Sequence, residues 1–437
     1  MKNINSILNN LFDKLYPINR SITGPGIRKS LGILKKHINF KITNIPSNTK
    51  VFDWKIPKEW ELIEGYIKYK GKYILNSKNN NLSVVNYSHS INKDLNLDQL
   101  KKNIYTHPKL KNAIPYVTSY YEKNWGFCMS YDQKNKLKPG KYKIKIKSKI
   151  KNGYLNYGEA NLKGKSKKTF LLSTFLCHPS MANNELSGPL TMVGLYNEIK
   201  MWKNRNLTYK FLINPETIGS ISYLYKNKKK IKKIISSGTV LTCMGGSYDY
   251  LSYFKSRNSY SSLDRLVDYF SKIKKHKKKY KSYNFNPAQG GDERQFCSSE
   301  FNLPIGRFER NGKGHYKEYH TSLDTKDVMK ISKVVNSIKQ LNNLLIYNDF
   351  IFPMRRYEKY CEIFLSKRKL YPSINEFDKT NKKDKDINHS IIMTLLSYAD
   401  GNHDYLHIAN KFNFPLDKVL ECLKILIKEK LVYLDLK

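Results

Sequence analysis

One stretch of the chain, Phe170–Trp202, constrains the fold more than any other. It begins with a continuous apolar run, Phe170–Cys177, which is typical of a buried strand. A polar loop follows at His178, and the apolar-periodic segment Leu190–Trp202, with Pro189 ahead of it, predicts a helix. A strand, a polar loop and a helix in this order build ligand sites at the carboxyl ends of strands in open α/β sheets. The stretch therefore predicts an α/β domain with a site at this loop.

Three polar side chains of the loop are candidate metal ligands. His178 lies at the strand end, and Asn184 and Glu185 lie just before the helix. An imidazole and an oxygen donor six residues apart on one loop can converge on a metal ion. The simpler interpretation is that His178 is an ordinary polar loop residue. The metal interpretation is favoured because Glu216 ends the next apolar run and His320 lies in a later polar turn.

Helix and strand patterns alternate in two separate parts of the chain, 1–44 and 151–350. The first part carries two helical stripes, and the second ends in a long amphipathic helix, Val328–Ile346. We predict that the two parts form one discontinuous α/β domain.

The intervening residues, 45–150, have a different character. Short alternating segments separated by turn residues are typical of β structure, and Leu82–Tyr87 and Tyr116–Tyr121 are among the predicted strands. We predict a mostly-β domain inserted into the α/β domain.

The C-terminal residues, 357–437, form a third predicted domain. Three helical segments followed by the apolar strand Leu431–Leu436 have the order of a winged helix, and Lys379–Asp386 is predicted as a charged linker. A small helical cap or dimerisation module is the alternative. The predicted recognition helix carries no arginine cluster, so the sequence favours a protein partner or self-association over nucleic acid.

Charge and cysteine content exclude several classes. The formal net charge is +43, but the excess is mostly lysine and spread through the chain, and its densest clusters, Lys226–Lys233 and Lys272–Lys281, are predicted to be solvated. A docking surface for an acidic partner is the alternative. Six cysteines without close spacing do not form a disulfide framework. No apolar stretch is long enough to predict a signal peptide or a membrane span, so we expect a cytoplasmic protein.

The chain carries nine longer motifs: Leu15–Gly24, Val51–Pro57, Ile114–Tyr121, Trp125–Cys128, Tyr157–Glu159, Cys177–Ser180, Pro215–Ser220, Gly290–Arg294 and Tyr319–Ser322. Together they resemble the motifs of one bacterial family of uncharacterised aminopeptidase-like proteins, often found in surface-polysaccharide gene neighbourhoods. The resemblance covers nearly the whole chain. It implies a zinc-aminopeptidase-like α/β fold with an open mixed sheet flanked by helices, an inserted β domain and a C-terminal winged helix.

The resemblance also implies a ligand set. His178 and His320 are similar to the first and last histidine ligands of zinc aminopeptidases, and Glu216 lies where those enzymes carry a base and a ligand as a glutamate pair. Asn184 stands where they have a bridging aspartate, and Thr242–Met244 where they have a further aspartate ligand. A neutral amide is a poor bridge between dications, so we expect at most one zinc, and its loss is an open alternative.

The implied activity is a metal-dependent hydrolase that cleaves an amide bond of a small peptide or an amino-acylated sugar. Glu216 is expected to act as base or ligand, and Arg294 or Tyr319 to stabilise the oxyanion. Asp292 and Glu293 are candidates for orienting a histidine ligand or holding an α-amine. A degenerate, non-catalytic binding or scaffold protein is the alternative, and a ligand-sensing regulator is a third.

Overall fold

The computed structural model of the protein describes residues 4–273, 277–371 and 382–436. Its strands are β1 (Lys41–Pro46), β2 (Lys50–Val51), β3 (Trp54–Lys55), β4 (Glu59–Tyr69), β5 (Lys72–Asn76), β6 (Ile91–Asn96), β7 (Ile104–Tyr105), β8 (Phe127–Cys128), β9 (Lys141–Lys151), β10 (Tyr154–Leu162), β11 (Thr169–Phe175), β12 (Thr208–Asn214), β13 (Ile235–Leu241), β14 (Leu251–Phe254), β15 (Tyr280–Tyr283), β16 (Ile305–Glu309), β17 (Met354–Arg356) and β18 (Val432–Leu434).

The α-helices are α1 (Ile4–Leu15), α2 (Pro25–Lys35), α3 (Leu97–Lys101), α4 (Tyr131–Asn135), α5 (Ser187–Lys200), α6 (Ile218–Asn227), α7 (Ile231–Ile234), α8 (Ser262–Lys272), α9 (Glu293–Phe296), α10 (Ile331–Asn348), α11 (Lys382–Ser397), α12 (Tyr405–Phe412) and α13 (Leu416–Lys428). None of the helices in the described ranges is long and apolar enough to cross a membrane.

An eight-stranded mixed sheet forms the centre of the first compact unit, in the order β1-β10-β12-β11-β13-β16-β14-β15. β11, β13 and β16 pair in parallel, whereas β1, β10 and β12 pair antiparallel. Every residue of β11 is buried, as expected for a parallel strand covered on both faces. The predicted α/β fold with an open mixed sheet and helices is confirmed.

A second, four-stranded sheet lies in the segment between β1 and β10, in the order β5-β4-β9-β6. The inner face of β9 buries Tyr142, Ile144 and Ile146 in a cluster with residues such as Phe127, and its alternate residues face outward. The boundaries predicted for a separate domain, 45–150, stay a prediction.

Two strands predicted in this segment are wrong. Leu82–Tyr87 contributes a 3-10 turn at Asn81–Ser83 and isolated bridges. Tyr116–Tyr121 is irregular because its start pairs with a distant loop: the Tyr116 amide donates to the His320 carbonyl over 2.8 Å. The alternating apolar pattern of these two segments did not reveal that their backbone groups form hydrogen bonds outside a sheet.

The second compact unit consists of residues 343–437 with two short segments, 163–168 and 203–208. It contains α11, α12, α13 and the antiparallel pair of β17 and β18, in which Met354 lies opposite Leu434. β17 lies ahead of the predicted start at 357. The prediction of a linker over Lys379–Asp386 is wrong from Lys382 onward, because α11 begins there. The first three residues of that linker lie outside the described residues. Residues 274–276 of the second lysine cluster also lie outside them.

Candidate functional site

His178 and Glu216 meet where two neighbouring strands end. His178 follows β11 and Glu216 follows β12, and the Leu176 amide donates to the Asn214 carbonyl over 2.8 Å, which holds the two strand ends together. The Nε2 atom of His178 lies 3.6 Å from Oε2 of Glu216. The structure thus brings together two predicted ligands that are 38 residues apart in the chain.

His320 reaches the same place from the loop between β16 and α10. Its ring centroid lies 5.3 Å from that of His178, and its ring stacks on Tyr319. Burial, reinforced by His178 and His315, lowers the pKa of His320 to about 2, so the imidazole is neutral. Its buried Nε2 has no hydrogen-bond partner among the described residues. A neutral imidazole with a free ring nitrogen is in the state that binds a metal ion.

Backbone strain accompanies all three residues. His320 itself has a φ of 58°, Thr217 next to Glu216 has 62°, and Ser180 close to His178 has 44°. Non-glycine residues in the left-handed region cost free energy and concentrate at functional sites. The surrounding structure therefore holds these turns in conformations that the isolated chain would avoid.

The second ring nitrogen of His178 is occupied by Glu185. Nδ1 of His178 lies 2.7 Å from Oε2 of Glu185, which the short π-helical turn Ala182–Leu186 carries into the interior. Donor atoms of Cys177, His178 and Glu185 lie within 4.8 Å of one another, so this buried cluster has metal-ligating residue types of its own. Because Glu185 already binds Nδ1, we interpret it as a support that directs Nε2 towards Glu216.

Arg20 supports this pair from behind. Its fully buried guanidinium donates from Nε to the His178 carbonyl over 3.0 Å and lies 3.6 Å from Oε1 of Glu185. Burial lowers the pKa of Arg20, and Glu185 raises it in part. Nη1 donates to the Leu15 carbonyl over 2.6 Å, which ties the end of α1 to the site.

The protonation of His178 follows from these neighbours. Burial alone lowers its pKa, but the acidic groups Cys177, Tyr116 and Glu185 more than offset burial, and the pKa is raised well above its ordinary value. Burial also raises the pKa of the Cys177 thiol to about 11, so that thiol is neutral near pH 7. The Glu185 carboxyl, 2.7 Å from Nδ1, is the neighbour that contacts the His178 ring most closely.

Asn184 is buried beside this pair but is not part of the cavity wall. The backbone amide of Asn184 donates over 2.9 Å to Oδ2 of Asp324, and the backbone amide of Asn183 donates over 2.8 Å to Oδ1 of the same carboxylate. The side-chain Oδ1 of Asn184 is buried and has no hydrogen-bond partner among the described residues. The predicted role of Asn184 as a metal ligand stays a prediction.

The residues of the Gly290–Arg294 turn support Glu216 instead of a histidine. Asp292 accepts from the Thr217 amide over 2.7 Å and from the Ser220 hydroxyl over 3.0 Å. Glu293 forms an ion pair with Arg307, in which Oε1 lies 3.2 Å from Nη1. Burial raises the pKa of Glu216, and the positive charge of Arg294 opposes that rise. Arg294 itself donates to carbonyls of its own turn, and its catalytic role stays a prediction.

A cavity of about 350 Å³ opens onto His178, Glu216 and His320. The rest of its wall is largely aromatic and apolar, and five of those nine lining residues come from the segment between β1 and β10. The other lining residues are Ile22, Trp54, Tyr116, Thr118, Tyr120, Tyr121, Cys177, Thr217 and Ile218. Tyr116 contacts both imidazoles, with its ring centroid 5.0 Å from that of His178 and 5.5 Å from that of His320.

Sequence reasoning missed the functional positions of Arg20, Tyr116 and Asp324. Arg20 and Tyr116 belong to motifs that carried the family resemblance, but their local patterns indicated a turn and a strand. A buried arginine and a site tyrosine are recognisable only once the distant loops that surround them are known. Asp324 gave no sequence signal beyond its place in a polar turn.

Part of the predicted donor set has the spacing of zinc ligands. Zinc bonds of 2.0–2.2 Å in a tetrahedral arrangement place two ligand atoms about 3.4 Å apart, close to the separation between His178 and Glu216. The Nε2 atom of His320, which has no hydrogen-bond partner among the described residues, is the candidate third donor. These three residues are not a described group whose donor atoms all lie within 4.8 Å of one another, so their convergence on one ion stays a prediction. Glu185 behind His178 is the carboxylate–histidine arrangement typical of zinc sites. No carboxylate bridges to a second ion through position 184, where the residue is a neutral asparagine.

Comparisons with known proteins agree with this architecture. Residues 9–349 match the model of a domain of unknown function, DUF4910, and residues 353–433 match a winged helix-turn-helix model. A Clostridium acetobutylicum protein, provisionally named a polysaccharide biosynthesis protein with aminopeptidase-like domain, is 35% identical over 418 residues, covering 94% of this chain and 92% of that protein.

Solved structures extend the likeness. A crystal structure provisionally named as a peptidase from Clostridium acetobutylicum has a TM-score of 0.86 at 32% identity and covers 99% of this chain and 98% of its own. The zinc aminopeptidase of Bacillus subtilis has a TM-score of 0.57 at 13% identity and covers 79% and 94%. The latter likeness establishes an aminopeptidase-like fold and no more.

Proposed function

The chain belongs to the DUF4910 family and carries a C-terminal winged helix, and on that premise we propose that it is a single-zinc hydrolase of amide bonds. The observation that carries the proposal is the convergence of His178, Glu216 and His320 on one cavity. Zinc held by these residues would polarise a carbonyl and lower the pKa of a bound water.

The residues of the site have complementary tasks in such a reaction. Glu216, which lines the cavity and whose side chain is 27% exposed, can take the proton of an attacking water and return it to the leaving amine. Its raised pKa makes it a stronger base than an exposed glutamate. Glu216 therefore remains the candidate for both base and ligand.

Tyr116 is a further donor at the cavity. Burial raises the pKa of its hydroxyl, so the hydroxyl carries its proton at neutral pH, and it shares a hydrogen bond with the Tyr120 hydroxyl. A neutral hydroxyl in a water-poor site can stabilise negative charge that develops on a carbonyl oxygen. Tyr116 joins Arg294 and Tyr319 as a candidate for this role.

The cavity supports a small substrate. Its volume suits one residue or sugar ring, and the aromatic pair Trp54 and Tyr121, with ring centroids 5.8 Å apart, offers apolar faces in its wall. We infer an amide of a short peptide or of an amino-acylated sugar. The provisional name of the Clostridium acetobutylicum relative supports the sugar.

The proposal is tested by the metal content of the purified protein, measured by mass spectrometry beside an amide-hydrolysis panel. We expect about one zinc per chain in the wild type and loss of zinc in His178→Ala and His320→Ala. His89→Ala, a histidine outside the cavity wall, is the matched control and retains zinc. Equal zinc content in all four proteins would reject the site.

A second candidate is a binding or scaffold protein without turnover. Neutral Asn184 and the single glutamate at position 216 favour it, because the site has fewer carboxylates than a two-metal hydrolase requires. This candidate predicts a folded protein that hydrolyses no member of the panel even when loaded with zinc.

The winged helix supports a protein partner or self-association. α13 exposes charges of both signs, and the Lys418 ammonium lies 3.8 Å from the Glu421 carboxylate one turn further along the helix. A helix with mixed charge is a poor match for a phosphate backbone. Sedimentation of the full chain tests self-association, and a salt-dependent shift of duplex DNA would contradict this assignment.

A further inference from the structure

The outer face of the four-stranded sheet carries a row of lysines that the proposed reaction does not use. Along β9 every second residue is lysine, and all of these side chains are on the face opposite the buried Tyr142, Ile144 and Ile146. We name this row the lysine ladder; it consists of Lys141, Lys143, Lys145, Lys147, Lys149 and Lys151.

Protection of a sheet edge does not explain the first half of the lysine ladder. Lysines commonly shield exposed edge strands, but β9 pairs with β4 along its length and with β6 over residues 141–146, so Lys141, Lys143 and Lys145 lie on the segment that β6 covers. Alternate residues of a strand are about 6.7 Å apart, so the ladder is a row of regularly spaced charges. Such a row matches a ligand with repeated negative charges.

The face is not neutralised by its own carboxylates. Opposite Lys143 on β4 stands another lysine, Lys68, and like charges in directly opposed positions are destabilising. Within the ladder, Lys145 alone forms an ion pair in the part of the chain that the structure describes, with Glu64 at 2.6 Å. The other carboxylates opposite the ladder are Glu61, Asp94 and Glu59, the last of which is already engaged by Arg28.

Two tyrosines on the same face argue against bases as the ligand. Tyr66 and Tyr73 contact each other edge to face, and the Lys68 ammonium lies 5.2 Å and 4.2 Å from their ring centroids. Single-stranded nucleic acid needs open aromatic faces on which bases stack. Here the Lys68 ammonium occupies one side of these rings, which makes the face less suited to stacking. Because Tyr73 is still 55% exposed, single-stranded nucleic acid is the competing ligand in the test.

We propose that the lysine ladder binds an extended anionic polysaccharide. The ligand is a polymer whose carboxylates or other anions recur along the chain and pair with successive ammonium groups. Attraction of this kind depends on ionic strength, since exposed charges are screened within a Debye length of about 8 Å at physiological salt. The proposal is independent of zinc and of hydrolysis.

The test compares two triple variants of the full chain by isothermal titration calorimetry with polygalacturonate. Lys143→Gln, Lys147→Gln and Lys149→Gln together shorten the ladder. Lys229→Gln, Lys230→Gln and Lys233→Gln remove the same charge from an exposed cluster outside the ladder. Neutral dextran and an oligothymidylate are the ligand controls, and thermal melting checks that both variants are folded.

We expect the wild type to bind polygalacturonate, with affinity falling as salt rises, and the ladder variant to bind it about tenfold more weakly. The control variant should keep its affinity within about twofold. Equal losses in both variants would mean that total charge alone is responsible and would overturn the proposal. Absence of binding at low salt, or tighter ladder-dependent binding of oligothymidylate, would overturn it as well.

Discussion

The carboxylate of Glu185 lies 2.7 Å from Nδ1 of His178 and so fixes which ring nitrogen of that histidine faces the cavity. The Glu185 side chain is fully buried, and the Arg20 guanidinium lies 3.6 Å from its second carboxyl oxygen. The imidazole ring is therefore already oriented with Nε2 towards the cavity before a ligand binds. The chemistry of the cavity therefore depends on Glu185 and Arg20, which do not line it.

Replacing Glu185 should weaken zinc binding. Glu185→Gln keeps the shape of the side chain but removes the charge that orients and strengthens His178, and the zinc dissociation constant should rise by about 10- to 100-fold. Competition with a chromophoric chelator measures the constant. Glu300→Gln, at a side chain that is 92% exposed, is the control and should not change it. An unchanged constant in Glu185→Gln would remove Glu185 from the zinc support.

Replacing Arg20 should destabilise the fold. Arg20→Met leaves the Glu185 carboxylate buried without its cation, and the free energy of unfolding should fall by roughly 3–5 kcal/mol. Urea unfolding followed by circular dichroism measures the change. The double variant Arg20→Met, Glu185→Gln should recover part of the loss because no buried charge remains. A double variant less stable than the single would contradict this account.

Asn184→Asp should make stability more dependent on zinc. The substitution adds a carboxylate at a buried position. Oδ1 of Asn184 has no hydrogen-bond partner among the described residues, and its backbone amide donates to Asp324. Without metal the melting temperature should fall, and the rise on adding zinc should exceed that of the wild type, because a ligand that binds only the folded state stabilises it. Asn183→Asp is the matched control. A smaller zinc-induced rise in Asn184→Asp than in the wild type would exclude position 184 from the metal site.

Glu309 should make stability depend on pH. Burial raises its pKa to about 7, with Arg307 opposing and Glu293 adding to the rise. A carboxyl whose pKa is raised in the folded state favours folding at low pH, and that contribution is lost as pH increases from about 4.5 to 7. When the pH rises from 5 to 8, the free energy of unfolding of the wild type should fall by roughly 3 kcal/mol more than that of Glu309→Gln. Parallel pH profiles from urea unfolding would contradict this assignment.

The sequence by itself determined the strand–loop–helix unit around His178. It also determined that Glu216 ends an apolar run and that His320 lies in a polar turn. These features are local, because burial and turn chemistry leave a periodic pattern in neighbouring residues. The α/β class, the winged-helix order and the family followed from the same patterns and from longer motifs.

Only the tertiary structure decided how these residues act together. Arg20 and Tyr116 approach His178 from 158 and 62 positions away, and Glu185 became a support for His178 because its loop turns inward. The irregular path of Ile114–Tyr116 is likewise set by hydrogen bonds to the His320 loop. Contacts between residues far apart in the chain depend on how whole elements pack, and no local pattern records them.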